Sequence, residues 1–260
     1  MRQLIKRLGG DTLSFFAYVG GVFNLLVHTI FQTFIPPFRR KEFFVQMYKI
    51  GWQSFPIVFL VSIFTGMVLA LQSAYQLTKM NAEIYIASLV ALSVVRELGP
   101  VLTALVIAGR IGASITAELG TMKVTEQIDA LQTLAANPIK YLVVPRFLAL
   151  CIMLPLLTVY ADMLGIMGGW FIGVYKLLIG NSIYWDMTKQ ALAFKDLFTG
   201  LFKSLVFAVI ICIISCYEGF RTEGGAEGVG KATTLSVVIS FILIIAADCL
   251  VTALFYFILI

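Results

Sequence analysis

The sequence predicts an all-α integral membrane protein with five transmembrane helices and one N-terminal helix lying along the membrane interface. Of the 260 residues, 60% are hydrophobic and only 13% are charged, about half the ~25% charged fraction of a soluble domain. A soluble chain of this size could not bury so much apolar surface. The 19 basic residues are not gathered into an aromatic-laced patch, so no nucleic-acid partner is expected.

Five apolar runs are each long enough to cross a bilayer, which takes about 20 residues. The first run is uncharged, and the others are interrupted by a few charged residues. The runs cover residues 50–78, 84–118, 147–175, 197–217 and 232–260. We therefore predict a single membrane domain over residues 1–260, with an N-terminal region at 1–49 and a five-span core at 50–260.

The N-terminal segment 12–38 could also cross, but it carries a weak polar stripe and basic clusters flank it. Crossing would export one cluster against the positive-inside rule, whereas a flat helix keeps both in the cytoplasm. We predict an interfacial helix that Pro36-Pro37 ends.

With the N-terminus inside, most Lys and Arg residues lie in cytoplasmic segments, which puts the C-terminus outside. The basic residues on the outer side would be Lys79, Lys176, Lys189 and Lys195.

The stretch 225–231, GAEGVGK, nearly matches a phosphate-binding Walker A loop. That pattern requires Ser or Thr after the lysine to hold magnesium, and Ala232 stands there. We expect instead a Gly-rich turn between two spans, and no ATP hydrolysis by this chain.

Cys212 and Cys216 share a helix face without a His or carboxylate beside them, so the four cysteines are expected to be buried, inert thiols.

Six charged residues lie in the interior of the predicted spans, where each costs about 2.5–3.5 kcal/mol on insertion scales. They are Arg96, Glu97, Arg110, Asp162, Lys203 and Asp248. Arg96 and Glu97 point about 100° apart on a helix, so each needs a partner elsewhere. We predict the pairs Glu97–Lys203 and Arg96–Asp248, with the swapped assignment open. They serve either as packing salt bridges or as a polar gate.

Residues 123–134 predict a short amphipathic helix with Ile128, Leu131 and Leu134 at three-residue spacing, ended by Pro138. In a cytoplasmic loop such a helix is either a surface element or one that docks in a groove of a partner. In the third span, small residues recur every four positions and allow helices to approach closely, within one subunit or between two. These residues are Gly165, Gly169 and Gly173.

Several motifs closely resemble the MlaE/YrbE family of ABC-transporter permeases. The specific ones are LSVVRELGP at 92–100, AGRIGA at 108–113, AELGTM at 117–122, EQIDAL at 126–131 and GVGKATT at 228–234. The likeness covers most of residues 41–257 and implies the MlaE-type permease fold, with a helix at about 123–136 that couples to a separate ATPase. The coupling residues implied are Glu126, Gln127, Ile128, Asp129, Leu131 and Leu134.

The resemblance also implies a function, the movement of phospholipid between the inner and outer membranes of a Gram-negative bacterium, which maintains outer-membrane lipid asymmetry. Two copies would enclose a lipid pocket at their interface, with Arg96 and Glu97 nearby. The implied lipid-binding residues are Leu69, Gln72, Tyr75, Gln76, Leu77 and Met80. The implied partners are phospholipid, a second copy of the chain, a cytoplasmic ABC ATPase that binds ATP and Mg²⁺, a periplasmic hexamer of MCE-domain subunits and a STAS-domain protein. The chain itself would be no enzyme and would hold no cofactor or metal.

Three alternatives stay open at this point. A permease of the same family could carry a sterol or another hydrophobic molecule. An ion-coupled secondary carrier could use Glu97 and Asp248, and would need no ATPase. A membrane anchor that transports nothing would tolerate the loss of the buried charges.

Overall fold

The computed structural model describes residues 2–36 and 39–259, and the regular structure within them is helical throughout. Short 3₁₀ and π-helical turns join several of the helices. The α-helices are α1 Arg2–Thr33, α2 Arg40–Ile50, α3 Phe55–Leu77, α4 Ile86–Ser93, α5 Gly99–Ile107, α6 Ala113–Val124, α7 Gln127–Thr133, α8 Val144–Tyr175, α9 Asn181–Ala191, α10 Phe194–Phe220 and α11 Gly225–Leu259. This confirms the predicted all-α class.

Among the described residues, six helical segments are long and apolar enough to cross a membrane. Five of them correspond to the predicted spans, and the sixth, Thr12–Thr33, is the segment of α1 for which we predict a flat orientation. The second span is built from α4, α5 and α6, which run on through π-helical turns at Val94–Leu98 and Ala108–Gly112. The fourth and fifth spans begin earlier than predicted, at Phe194 and Gly225.

The described tertiary contacts of α1 gather at one end of the bundle, the end that carries α7, which we call the α7 end. The Tyr18 hydroxyl donates to Glu218 Oε1 at 2.6 Å, near the last turn of α10. After the helix, Lys140 Nζ donates to the Pro36 carbonyl oxygen at 2.7 Å. A helix that crossed the bundle from end to end would also contact the opposite end. These contacts therefore favour an orientation across the α7 end.

The helix ends at Thr33, a few residues before the predicted end at Pro36-Pro37. Pro36 follows in a bend, and Pro37 lies outside the described residues.

The glycine face of α8 packs within the chain. A Cβ atom on Gly66 of α3 would lie 1.9 Å from the Gly165 carbonyl oxygen, so the two backbones are in direct contact. A Cβ on Gly173 would lie 2.6 Å from the ring of Tyr184 on α9, and one on Gly169 would lie 2.9 Å from its hydroxyl. Tyr184 is buried against these glycines, and burial raises the pKa of its hydroxyl above the ordinary value. The interface left open by the sequence is thus intramolecular.

Three local expectations are wrong. The Gly-rich stretch is not a turn, because it forms the first turns of α11, and the chain reverses just before it, where Gly224 has φ +84°. Lys231 Nζ pairs with Glu227 Oε1 at 2.6 Å, one helical turn away. Pro138 does not end α7 but precedes the π-helical turn at Ile139–Val143. Cys249 is exposed, although Cys212 and Cys216 are buried as expected.

Candidate functional site

A proline creates the polar centre of the second span. Pro100 has no N–H to donate, and in an α-helix its ring would clash with the carbonyl of Arg96, four positions earlier. A regular α-helix therefore cannot continue through this point. The chain forms a π-helical turn at Val94–Leu98, in which the Gly99 N–H bonds the Val94 carbonyl. The freed carbonyl of Arg96 then accepts a hydrogen bond from Lys203 Nζ at 3.2 Å.

Lys203 is the hub of the charged cluster. Its side chain on α10 is fully buried, and its Nζ forms ion pairs with Glu97 and with Asp248 Oδ1, the latter at 2.8 Å. The other Glu97 oxygen accepts from Thr252 Oγ1 at 3.4 Å. A buried ammonium is stable only when its charge and its protons are satisfied. Here the two carboxylates balance the charge of Lys203, and Glu97 and the Arg96 carbonyl oxygen accept its hydrogen bonds. The cluster ties the second, fourth and fifth spans together.

The predicted pair Glu97–Lys203 is therefore present, but the predicted pair Arg96–Asp248 is wrong. Arg96 Nε lies 3.6 Å from Asp196 Oδ1, and Asp248 shares Lys203 with Glu97. The reason is the π-helical turn, which directs Arg96 toward the start of α10. There Asp196 Oδ2 also accepts from the Ala193 N–H at 3.0 Å. Asp196 was missed because the sequence placed it just before the fourth span.

An open groove of about 300 Å³ lies beside this cluster. Leu69 and Gln72 of α3, two of the predicted lipid-binding residues, line it together with Leu98, the neighbour of Glu97. The remaining lining residues are Phe64, Thr65 and Val68. Their spacing with Leu69 and Gln72 is that of one helix face. This periodicity was the signal that could have identified them in the sequence.

The other four predicted lipid-binding residues lie further along the chain, outside this groove. Tyr75 is 71% exposed and Met80 is 74% exposed, and Gln76 is exposed as well. Lys79 Nζ sits 4.2 Å from the centre of the Tyr75 ring. Leu77 is partly buried and packs against a second apolar cluster of the core. The single chain thus brings together only part of the predicted set.

Known proteins are similar to this chain along most of its length. The family described as "Permease MlaE" matches residues 43–254. The chain is 46% identical, over 97% of its length and 98% of the relative, to a probable ABC transporter permease protein of Rickettsia prowazekii. It is 35% identical, over 98% of both chains, to the intermembrane phospholipid transport system permease protein MlaE of Haemophilus influenzae. The chain belongs to the MlaE permease family. A further relative is the chloroplastic protein trigalactosyldiacylglycerol 1 of Arabidopsis thaliana, 39% identical over 81% of this chain and 60% of that protein.

As an MlaE-family permease, the chain is a multi-pass membrane protein and the transport subunit of an ABC transporter. The charged cluster lies at the motif that carried the resemblance, so the family motif and the ion pairs coincide at Arg96 and Glu97. The other two predicted membrane charges lie apart from it. Arg110 donates to Ser54 Oγ at 2.5 Å and to Gln53 Oε1 at 3.2 Å. Asp162 is buried against Gly99.

In this permease α7 is shorter than predicted and is joined to the second span by a strained residue. Glu126 has φ +59°, a left-handed conformation that side chains rarely adopt, and it separates α6 from α7. Lys123 Nζ at the end of α6 pairs with Asp129 Oδ1 at 2.9 Å. The Lys123–Asp129 pair thus joins the end of α6 to α7 across the bend at Glu126.

The predicted apolar stripe of α7 is divided between the core and the surface. Ile128 is buried in the largest apolar cluster of the core described here, and Leu131 packs against that cluster. Leu134, the third member, is 78% exposed, because α7 ends before it. Glu126, Gln127 and Asp129 are exposed as well. The helix is therefore anchored by its own chain and leaves a polar face with one apolar residue uncovered.

Proposed function

We propose that this permease is the membrane subunit of an ABC transporter that moves phospholipid between the inner and outer membranes of a Gram-negative bacterium, maintaining outer-membrane lipid asymmetry. The name of the Haemophilus relative supports the substrate class. The observation that carries the proposal is the groove of apolar side chains with Gln72, beside the cluster around Lys203. Apolar walls suit acyl chains, and the polar groups suit a headgroup.

The groove needs a second wall, and a second copy of the chain supplies it. Its volume of about 300 Å³ is at the lower end of the range for small-molecule sites, which is about 300–1,000 Å³. Phe64 and Val68 are 58% and 60% exposed. A homodimer that packs the two α3 faces together covers these side chains and encloses a pocket large enough for two acyl chains.

Transport is driven through α7. A cytoplasmic ATPase, which binds the ATP and Mg²⁺, docks on the exposed face of α7, and a STAS-domain protein binds that ATPase. Closure of the ATPase pair moves α7 and, through the Lys123–Asp129 ion pair and the continuous α6, the second span. The pocket collapses and lipid leaves toward a periplasmic hexamer of MCE-domain subunits. In this orientation the N-terminus is cytoplasmic, the C-terminus is periplasmic, and α1 lies flat on the inner membrane.

The test is reconstitution of the permease with its ATPase in liposomes, followed by ATP-dependent transfer of labelled phospholipid. Val68→Trp fills the groove, and we expect it to abolish transfer while the purified complex still hydrolyses ATP. The matched control is Leu156→Trp, which adds the same side chain at an exposed position of α8, 55% exposed and outside the groove.

Each alternative predicts a different outcome of the same experiment. Equal transfer by Val68→Trp and Leu156→Trp would refute the groove as the lipid path. A sterol-like molecule in place of phospholipid in the purified complex would reassign the substrate. Transport that needs an ion gradient and no ATPase, and that Glu97→Gln and Asp248→Asn abolish, would establish a secondary carrier. If no transport occurred under either condition, the chain would be a membrane anchor that transports nothing.

A further inference from the structure

A second groove, far larger than the first, lies between α1 and the hairpin of α10 and α11. Its volume is about 740 Å³. The α1 side is formed by Ser14, Tyr18, Val19, Val22, Phe23 and Leu26, and the hairpin side by Ile214, Arg221, Leu235, Ile239 and Leu243. The lining is apolar except for Ser14, Tyr18 and Arg221. We call it the Arg221 groove.

Among the side chains that the structure describes, which on α1 begin at Thr12, no carboxylate forms an ion pair with Arg221. Its guanidinium lies 5.6 Å from the Tyr18 ring centre and 5.4 Å from the Tyr217 ring centre, within range of cation–π attraction. The nearby carboxylate of Glu218 accepts the hydrogen bond of the Tyr18 hydroxyl at 2.6 Å. The mouth of the groove therefore carries an exposed positive charge held in place by two aromatic rings.

The groove is about as deep as one leaflet of a bilayer. Ser215 faces Ser236 at 3.4 Å, and Lys203 faces Asp248 at 2.8 Å, and both pairs give the same antiparallel register of α10 and α11. In that register Leu243 of α11 lies level with Ala208 of α10. Ala208 comes 13 residues before Arg221, so Leu243 lies about 20 Å from Arg221 along the helix axis, at ~1.5 Å per residue. One hydrocarbon leaflet is about 15 Å thick. A transmembrane helix of a partner would need a groove about twice as deep.

We propose that the Arg221 groove binds one anionic glycerophospholipid of the leaflet at the α7 end, with its phosphate on Arg221 and its acyl chains along Val22, Leu235 and Ile239. This lipid is a resident that fills the space between α1 and the hairpin. It is separate from any cargo in the groove of α3. Arg suits this role because its planar fork binds phosphate through two hydrogen bonds.

The experiment uses the assembled transporter in nanodiscs of phosphatidylcholine with added phosphatidylglycerol, and counts retained lipids by native mass spectrometry. We expect the wild type to retain phosphatidylglycerol in preference to phosphatidylcholine, and Arg221→Gln to lower that preference roughly tenfold. Lys231→Gln is the matched control. It removes the same charge at the same end of the bundle, but its partner is Glu227, outside the groove.

A second measurement needs no variant. Phosphatidylglycerol with a photoreactive group in its acyl chain should crosslink the wild type at residues 19–26 and 235–243. Equal lipid preference in Arg221→Gln and Lys231→Gln would overturn the proposal. So would crosslinks spread evenly over the apolar surface, or crosslinks from the groove residues to a partner polypeptide. Val68→Trp, which tests the transport groove, should leave both readouts unchanged, so the two proposals fail independently.

Discussion

Replacing Lys203 by Met should destabilise the permease strongly, because it leaves two carboxylates near each other without their shared cation. Removing one partner of a buried ion pair costs about 3–5 kcal/mol, whereas exposed pairs are worth about 0–1 kcal/mol. Lys203 is fully buried, but the side chains of Glu97 and Asp248 are 40% and 22% exposed. Water therefore screens part of the effect. We expect a loss of about 3 kcal/mol in the free energy of unfolding, at the lower end of the buried range.

Removing the carboxylates as well should restore much of this stability. The double variant Lys203→Met with Glu97→Gln retains one unpaired carboxylate, so we expect an intermediate loss. The triple variant with Asp248→Asn has no unpaired charge in the cluster. It should come within about 1 kcal/mol of the wild type, because a whole buried ion cluster contributes little beyond what neutral residues of similar volume provide.

The assay is equilibrium unfolding in mixed micelles, with the denaturing detergent titrated against helicity. The matched control is Lys189→Met on α9, where the lysine is exposed and the expected change is within about 0.5 kcal/mol. The reasoning is wrong if Lys203→Met is as stable as Lys189→Met. It is also wrong if the losses from Lys203→Met and Glu97→Gln simply add, since side chains in one ion-pair network must show coupling.

Three further predictions concern single sites and can be checked by thermal unfolding in detergent. Gly66→Ala should cost about 3 kcal/mol or more, because its Cβ would lie 1.9 Å from the backbone oxygen of Gly165. Gly20→Ala, with nothing within 4 Å, should be neutral or slightly stabilising, and a similar loss at both sites would refute the close contact. Arg96→Gln should cost less than about 1 kcal/mol, since its pair with Asp196 is long and Arg96 is 46% exposed; a loss as large as that of Lys203→Met would contradict this. Glu126→Gly should raise stability by about 1 kcal/mol by relieving the left-handed backbone, and an unchanged or lower melting temperature would argue against strain there.

The sequence by itself determined the membrane-spanning class, the approximate positions of the five core spans, and the family. Hydrophobic run length is a local property, because a bilayer requires about 20 apolar residues in succession whatever the rest of the chain does. The pair Glu97–Lys203 was also predictable, since a buried charge needs an opposite partner and few were available. Helix ends were less accurate. Polar residues such as Asp196 continue a helix beyond its apolar part, and Gly225–Lys231 is helical despite its glycines.

Only the tertiary structure decided which side chains meet. The π-helical turn before Pro100 rotates Arg96 toward Asp196 and leaves Lys203 to both Glu97 and Asp248. A pattern of residue spacing assumes a regular helix and cannot register such a turn. The same holds for the Arg221 groove, whose two sides are separated by about 200 residues in the chain. Contacts between distant segments depend on how complete helices pack, which no local pattern specifies.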